Sequence, residues 1–275
     1  MASSPTGSSP MKGSLMGSSS TGRVRLLQLG ALAAVLALWA LIAAVGVVSS
    51  TALPGPASVA AAFGDLVGSG TFWQAVGDTL RGAVTGLVVA VAVGIPVGLV
   101  TGVYAAAEES SRLLMEILRS FPVIALLPVF LLVLGSTPGM KATVVFIACV
   151  FPVLLQAQYG ARSVTPAVHE TVRSYRVPRL LRFRRVILPG AVPSIMTGLR
   201  LAATTSVLVA IGVEVLTTLP GIGHMIMESQ QAGVSARAYA YILTAGAIGY
   251  AITMLAQLAE QRLLRWRPPT HPGGE

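Results

Sequence analysis

The sequence predicts an all-α integral membrane protein with six transmembrane helices. Of its 275 residues, 54% are hydrophobic and only 11% are charged, and the mean hydropathy is +0.77. An average soluble domain has roughly 25% charged residues. The apolar runs lack the alternating pattern of barrel strands. Because backbone groups in lipid must pair within their own segment, we expect these runs to be helices.

Six apolar runs have about the 20 residues that cross a hydrocarbon core of about 30 Å. They cover residues 26–48, 80–103, 113–135, 140–158, 199–218 and 239–262. The first run is longer than a signal peptide needs and has no clear cleavage motif, so we interpret it as an uncleaved helix. We predict a disordered, Ser-, Gly- and Pro-rich cytoplasmic tail at 1–22, one membrane domain at 23–267 and a flexible tail at 268–275.

Basic residues indicate the orientation of the chain. Residues 160–200 alone contain eight arginines, and one Arg at the bilayer centre costs about 3 kcal/mol or more. The loop at 159–198 must therefore lie in water, and an excess of Arg is typical of cytoplasmic loops. The loops at 49–72, 136–139 and 219–238 carry only Arg237. We predict that both termini are cytoplasmic.

Several other protein classes are excluded by the sequence. The net charge of +9 does not indicate nucleic-acid binding, because the basic residues lie at the ends of apolar runs. The sequence has no GxxxxGK[ST] phosphate loop, no GxSxG elbow and no histidine pair with zinc-site spacing. We expect no catalytic residue, metal or cofactor, and any ATP hydrolysis must come from another chain. Cys149 lies in an apolar run and is expected to be buried.

The second apolar run contains small residues spaced four apart, which places them on one face of a helix. They are Gly82, Gly86, Ala90, Gly94, Gly98 and Gly102. Such a stripe lets another backbone approach closely. Two interpretations remain open: tight packing inside one subunit, or a subunit interface or sliding surface.

Candidate pathway or gate residues lie in the third to fifth runs, which combine proline bends with small hydroxyl groups. They are Ser120, Pro122, Pro128, Thr204, Thr205, Ser206 and Glu214. Glu214 is the main acid inside an apolar run, and about 1.5 Å per residue from Gly198 places it near the outer interface. It is either a snorkelling or locally paired carboxylate, or part of an outer gate.

The cytoplasmic loop is predicted to form two short helices. One begins with Thr165 as an N-cap and Pro166 as the first helical residue, and the other lies between Pro178 and Pro189, which ends it. The first helix carries an apolar stripe formed by Val168, Val172 and Tyr175. Such a pair suits a groove on a soluble partner, or else an amphipathic segment lying on anionic lipid.

Residues 170–189, ETVRSYRVPRLLRFRRVILP, resemble the EAA loop of permease subunits in binding-protein-dependent ABC importers. Glu170 and the closing Leu188-Pro189 match the pattern in register. Residues 53–63, 79–102 and 188–202 resemble the branch that carries nitrate, sulfonates, taurine and related small anions or precursors.

The resemblance implies a type I ABC importer permease fold for 23–267, with the coupling loop at 159–198. It implies a multi-pass protein of the bacterial inner membrane that moves a small solute, such as a sulfonate, a nitrate-like anion or a metabolite precursor, inward. Its partners would be a cytoplasmic ABC ATPase dimer, an extracytoplasmic solute-binding protein that meets residues 219–231, and a second permease subunit, identical or related. A secondary transporter and a non-transporting structural or regulatory subunit are the alternatives.

Carried onto this sequence, the resemblance predicts ATPase-coupling residues in and after the loop. They are Glu170, Arg173, Tyr175, Arg176, Arg179, Pro189 and Gly190. Arg176 stands where the family has Gly, which permits positive φ that a long side chain resists. We therefore expect Pro178 to redirect the chain in place of that turn, and docking to be retained with a partner groove altered to match.

Overall fold

The computed structural model describes residues 19–46 and 48–264. The chain divides into two compact units, residues 1–57 and 58–275. In the first unit, helix α1 (Ser19–Val45) begins inside the predicted N-terminal tail. The segment after it folds back, and the Trp39 indole N–H donates to the Pro54 carbonyl at 3.1 Å. The rest of the predicted tails, at 1–18 and 268–275, lies outside the described residues.

The described part of the second unit consists of helices joined by short connections. Its helices are α2 (Pro56–Val67), which begins at the unit boundary, α3 (Gly70–Val103), α4 (Ala105–Ser120), α5 (Leu127–Leu134), α6 (Pro138–Arg162), α7 (Pro166–Ser174), α8 (Arg179–Arg182), α9 (Leu188–Leu216), α10 (Ile222–Gln231) and α11 (Ser235–Leu263). A 3₁₀ turn at Val123–Leu126 precedes α5, and a π turn at Phe183–Ile187 joins α8 to α9.

Within residues 19–46 and 48–264, five helices are long and apolar enough to cross a membrane. They contain the predicted runs at 80–103, 140–158 and 239–262 and most of those at 26–48 and 199–218. The run predicted at 113–135 is not one helix: α4 ends at Ser120, and the 3₁₀ turn and the short α5 follow. Pro122 breaks the helix because it lacks an N–H and disfavours helical backbone at the residue before it. Six spans therefore stay a prediction.

The small-residue stripe of α3 packs against α6 inside this chain, which is the first of the two interpretations. A methyl group added to Gly86 would lie 2.6 Å from Val145 Cβ, and one added to Gly102 would lie 2.6 Å from Ala161 Cβ. Both distances are far below van der Waals contact. The stripe is thus filled by α6 along most of its length, and the two backbones pack at close range.

Helix α9 packs against the other side of α6 in the same manner. A methyl group on Gly160 would lie 2.9 Å from Ala191 Cα, and one on Gly198 would lie 2.7 Å from Gln156 Cβ. Cys149 is buried between these helices, as predicted, and its thiol donates to the Ala202 carbonyl at 3.3 Å. Helices α3, α6 and α9 therefore form one closely packed block.

Pro189 does not end the second loop helix, which corrects the sequence prediction. The chain stays helical from Arg179 to Leu216. In a regular α-helix the ring of Pro189 would clash with the Arg185 carbonyl, four residues earlier. The π turn adds a residue to the turn before Pro189, where the Leu188 N–H bonds to the Phe183 carbonyl, and so relieves that clash.

Glycine-to-alanine changes on α3 test this packing. Gly86→Ala should lower the free energy of unfolding by about 1–3 kcal/mol, because its methyl group has no room beside Val145. Gly77 on the same helix has nothing within 4 Å of an added methyl group, so Gly77→Ala should be neutral or stabilising. Thermal unfolding in detergent measures both. Equal effects would show that the stripe is not a packing surface.

Candidate functional site

Helix α9 is 29 residues long, roughly 43 Å from end to end, and a group of charged side chains lies at each of its ends. One end carries α7 and α8. The other end leads into residues 217–221 and α10, which packs on α9 and α11. A buried ion pair lies at the α10 end, and exposed arginines lie at the α7 end.

The buried ion pair joins Lys141 to Glu214. The Lys141 Nζ lies 2.8 Å from Glu214 Oε1, and the side chains are only 4% and 0% exposed. The same ammonium group donates to the carbonyl oxygens of Asp78 and Pro220, each at 3.1 Å. Because an ammonium group has three N–H bonds, all of its donors are used.

The second oxygen of Glu214 is also fully paired. Its Oε2 accepts hydrogen bonds from the Thr79 hydroxyl at 2.8 Å and from the Gly223 N–H at 3.0 Å. The Thr79 oxygen in turn accepts the Ile222 N–H at 2.9 Å. Buried charges persist only when they are paired and hydrogen-bonded, and this network meets both conditions.

The network links α3, α6, α9 and the start of α10. Lys141 is in the first turn of α6 and Glu214 is in the last turn of α9, so each faces the unfavourable end of its helix dipole. The direct attraction between the two charges therefore has to offset both unfavourable interactions with the helix dipoles. Glycines leave room for it: a methyl group on Gly82 would lie 2.6 Å from Lys141 Cε, and one on Gly223 would lie 2.7 Å from Glu214 Cβ.

Sequence analysis missed the partner of Glu214. The available signal was that Lys141 is a lone cation at the boundary of an apolar run, on the same predicted side as Glu214. In the structure Glu214 is a locally paired carboxylate, which is one of the two interpretations that the sequence left open. A gating role for this residue stays a prediction.

The other pathway candidates fall into two groups. Ser120, Pro122 and Pro128 are exposed around the break between α4 and α5. The Ser120 hydroxyl donates to the Glu116 carbonyl of its own helix at 2.8 Å. These residues surround one bend, and their role in a pathway stays a prediction.

On α9 the three consecutive hydroxyl residues have different surroundings. Thr204 is exposed, and its oxygen lies 3.0 Å from the Thr253 hydroxyl on α11. Thr205 is half-buried, and Ser206 is buried and donates to the Ala203 carbonyl at 2.8 Å. Of the three, Thr204 is the residue with a side chain open to the surroundings of the chain.

The cytoplasmic loop presents most of its predicted coupling residues on the surface. Glu170, Arg173 and Arg179 are exposed, and Tyr175 is 80% exposed. The predicted apolar stripe is divided, because Val172 is buried while the other two members face outward. Pro166 begins α7 as expected, but the Thr165 side chain makes no capping hydrogen bond, contrary to the prediction.

Arg176 adopts the backbone conformation that the sequence was expected to avoid. Its φ is +49°, and it is the residue other than Gly with positive φ in the described chain. The Arg176 N–H bonds to the Arg173 carbonyl at 3.0 Å, and the Val177 N–H bonds to the Val172 carbonyl at 3.1 Å. This pair of bonds is the Schellman ending of a helix. The turn typical of Gly is retained, at a cost of about 1 kcal/mol.

Pro189 and Gly190 lie at the junction between the loop and α9, and both are half-buried. The Ser163 hydroxyl, just after α6, has one hydrogen to share between the Gly160 carbonyl at 2.8 Å and the Gly190 carbonyl at 3.3 Å. The start of α9 therefore lies within hydrogen-bonding distance of the end of α6.

Two further ion pairs were not predicted. Arg162 at the end of α6 pairs with Glu108 on α4. Arg200 on α9 pairs with Glu260 on α11 at 3.0 Å. Both pairs join elements that are distant in sequence, so no local pattern indicates them.

The long apolar helices are typical of a multi-pass membrane protein, and the Arg-rich helix pair between two of them gives it one exposed loop. Residues 94–265 match the family described as "Binding-protein-dependent transport system inner membrane component". The chain belongs to this family. It is a permease component of a multi-pass, inner-membrane transporter family and not itself an enzyme.

Similar proteins agree with this assignment. The chain is 33% identical to the putative aliphatic sulfonates transport permease protein of Escherichia coli, over 86% of this chain and 90% of the relative. It is 27% identical to the nitrate import permease protein of Leptolyngbya laminosa, over 72% of each. It is 26% identical to the taurine transport system permease protein of Escherichia coli, over 87% of this chain and 89% of the relative. The predicted branch is confirmed.

Solved structures show the same fold. An inward-facing MetNI methionine ABC transporter chain matches with a TM-score of 0.61 and 17% identity, over 70% of this chain and 96% of that chain. The predicted type I permease fold is confirmed by this likeness.

The buried ion pair can be tested by removing one charge or both. Lys141→Met should lower the free energy of unfolding by about 3–5 kcal/mol, because it leaves a buried carboxylate without its cation. Adding Glu214→Gln should restore part of this loss, since the amide oxygen still accepts from Thr79. Arg81→Gln, in the exposed pair with Asp78, should change stability by less than about 1 kcal/mol. Thermal unfolding in detergent compares the stabilities of the single Lys141→Met variant, the double variant and Arg81→Gln. A double variant that is less stable than Lys141→Met alone would contradict this account.

Backbone strain at Arg176 can be measured by hydrogen exchange. Arg176→Gly should slow exchange of the Val177 amide by up to about fivefold, because Gly adopts positive φ without the cost of about 1 kcal/mol. Arg176→Ala removes the same long side chain but keeps the strain, so its exchange should stay near that of the wild type. If Ala and Gly slow exchange equally, the side chain and not the backbone determines the stability of this turn.

Proposed function

We propose that this chain forms half of the membrane pathway of an ABC importer for a small anionic solute, with an aliphatic sulfonate as the first candidate. The observation that carries the proposal is the similarity, along 86% of the chain, to sulfonate permeases of Escherichia coli and Bacillus subtilis. Nitrate, taurine and bicarbonate permeases are also similar. A small solute with an oxyanion group is the chemistry that these names share.

The energy would come from ATP hydrolysis on a partner, because the full sequence has no phosphate-binding loop. The surface formed by α7 and α8 suits an ATPase. Tyr175 is 80% exposed and is flanked by the exposed charges of Glu170, Arg173 and Arg179. Aromatic and Arg side chains are enriched at the energetic centres of protein interfaces.

Movement of the loop would reach the membrane through the continuous helix from Arg179 to Leu216. Pro189 and Gly190 lie in the part of this helix next to the loop. There the Ser163 hydroxyl, just after α6, lies 3.3 Å from the Gly190 carbonyl. Because α3, α6 and α9 are closely packed and joined at their outer ends by the ion pair, a displacement of α8 would move them together. Such rigid-body motion is a common basis of switching between two access states.

The pathway itself would lie along the exposed face near the α4–α5 break and Thr204. Ser120, Pro122 and Pro128 contribute the bend, and Thr204 contributes a hydroxyl group. Thr205, Ser206 and Glu214 would act from behind this surface by holding α9 in position, since they are half-buried or buried.

The complete transporter would contain this chain, a second permease subunit that is identical or related, and a pair of ATPases on the cytoplasmic side. An extracytoplasmic solute-binding protein would dock at the end that carries α10. The location would be the bacterial plasma membrane with both termini inside. A secondary transporter is less supported, because the similar proteins are named as permeases of ABC or import systems.

Reconstitution tests the proposal. We expect proteoliposomes that contain this chain and its ATPase to accumulate labelled ethanesulfonate when the binding protein is outside and ATP is on the ATPase side. Uptake should require all three proteins. Uptake driven by an ion gradient without ATPase would instead indicate a secondary transporter, and no flux under either condition would indicate a structural subunit.

The docking surface can be tested in the same vesicles. Tyr175→Ala and Glu170→Ala should each lower uptake by about tenfold or more, while ATP hydrolysis by the ATPase continues and the amount of permease in the membrane is unchanged. The loss follows from removing a central aromatic or charged contact, which is typically worth more than about 1 kcal/mol. Ser174→Ala, at an exposed neighbouring position, is the matched control. Normal uptake by both variants would refute this assignment.

A further inference from the structure

A cavity of about 870 Å³ lies between the inner end of α3 and the helix that runs from α8 into α9. Ile95, Leu99 and Val100 are on the α3 wall. The facing wall includes Arg179 and Arg182. Of the candidate coupling and pathway residues, Arg179 is the one that lines this cavity.

The polarity of the cavity changes along both walls in the same direction. Helix α3 runs from Ile95 to Tyr104 toward the cytoplasm, a distance of roughly 13 Å at about 1.5 Å per residue. The opposite wall runs from Arg182 at its cytoplasmic part to Leu188 deeper in the membrane. The α3 wall is apolar until it reaches the Tyr104 hydroxyl, and the opposite wall carries its guanidinium groups at the same end, followed by apolar side chains. The lining described by the structure has two guanidinium groups and no carboxylate.

This pattern fits one class of ligand. A soluble anion would leave the apolar walls uncovered, and a purely apolar molecule would not use the guanidinium groups. An anionic amphiphile satisfies both. The apolar length of roughly 13 Å is close to one leaflet of the hydrocarbon core, about 15 Å, and basic pockets between helices on the cytoplasmic side are suited to anionic lipid headgroups.

We propose that this cavity binds an anionic phospholipid of the inner leaflet. Its phosphate contacts Arg182, with Arg179 and Tyr104 beside it, and one acyl chain lies against Leu99 and Val100. The cavity is open to the bilayer, since Val100 is 51% exposed and Tyr104 is 62% exposed. The lipid would connect α8 to α3. This inference does not depend on the transport function proposed above.

Lipid retention by the full chain tests the proposal. The protein is purified in mild detergent, mixed with dioleoyl phosphatidylglycerol or dioleoyl phosphatidylcholine, and examined by native mass spectrometry. We expect phosphatidylglycerol to be retained in preference to phosphatidylcholine. Arg182→Gln should weaken that retention about fivefold, the effect of one cation near a lipid surface. Arg184→Gln is the matched control, because Arg184 is exposed and does not line the cavity.

A variant that fills the groove separates lipid binding in the cavity from loose attraction of anionic lipid to the arginine-rich surface. Val100→Trp should reduce phosphatidylglycerol retention by occupying the space of the acyl chain, and since Val100 is half-exposed the change should not disturb packing. Retention equal to wild type in this variant, or equal losses in the Arg182 and Arg184 variants, would overturn the proposal.

The variant Leu180→Cys tests what covers the cavity, because Leu180 lines it and is 69% exposed. The native Cys149 is buried, so the labelling signal should come from position 180. Thiol labelling in vesicles should be slower with phosphatidylglycerol than with phosphatidylcholine. Protection only when the ATPase is added, or only at concentrations that bring two copies together, would overturn the lipid assignment in favour of a protein occupant.

Discussion

The packing of the helical block formed by α3, α6 and α9 depends on the burial of two opposite charges. Lys141 and Glu214 are removed from water, and the cost of several kcal/mol per ion is offset only by direct contact and complete hydrogen bonding. The partners that complete this bonding come from α3, from Pro220 in the segment between α9 and α10, and from α10 itself. Satisfying one ion pair therefore holds α3, α6 and α9 together with the segment that follows α9.

Below the ion pair, the same helices are held by close backbone approach. Methyl groups at Gly86 and Gly160 would meet atoms of the facing helix within 3 Å. With charges joined at one end and small residues packed along the length, α3, α6 and α9 cannot easily slide past one another. Movement applied at the α7–α8 end would thus displace the block as a whole. The chain departs from regular α-helix at the 121–126 break and at the π turn, which are the places where such movement is most easily accommodated.

The end of the helical block that carries α7 and α8 combines two kinds of surface. Glu170 and Tyr175 face water and suit a protein partner, whereas Arg182 faces a groove with apolar walls. An Arg-rich composition can serve both, because a guanidinium group pairs with protein carboxylates and with lipid phosphates in the same geometry.

The sequence by itself determined the membrane class, the family and the positions of most long helices, because apolar length and the distribution of Arg are local properties that lipid enforces directly. It also indicated the burial of Cys149, but it left open whether the Gly stripe packs inside the subunit or forms an interface, which the contacts between α3 and α6 decide. It did not determine the partner of Glu214, the path of the helix through Pro189, or the turn at Arg176. These depend on tertiary structure: Lys141 meets Glu214 only when α6 and α9 pack side by side, the π turn accommodates a proline that local propensity excludes, and the hydrogen bonds of the loop hold Arg176 at positive φ against its own preference.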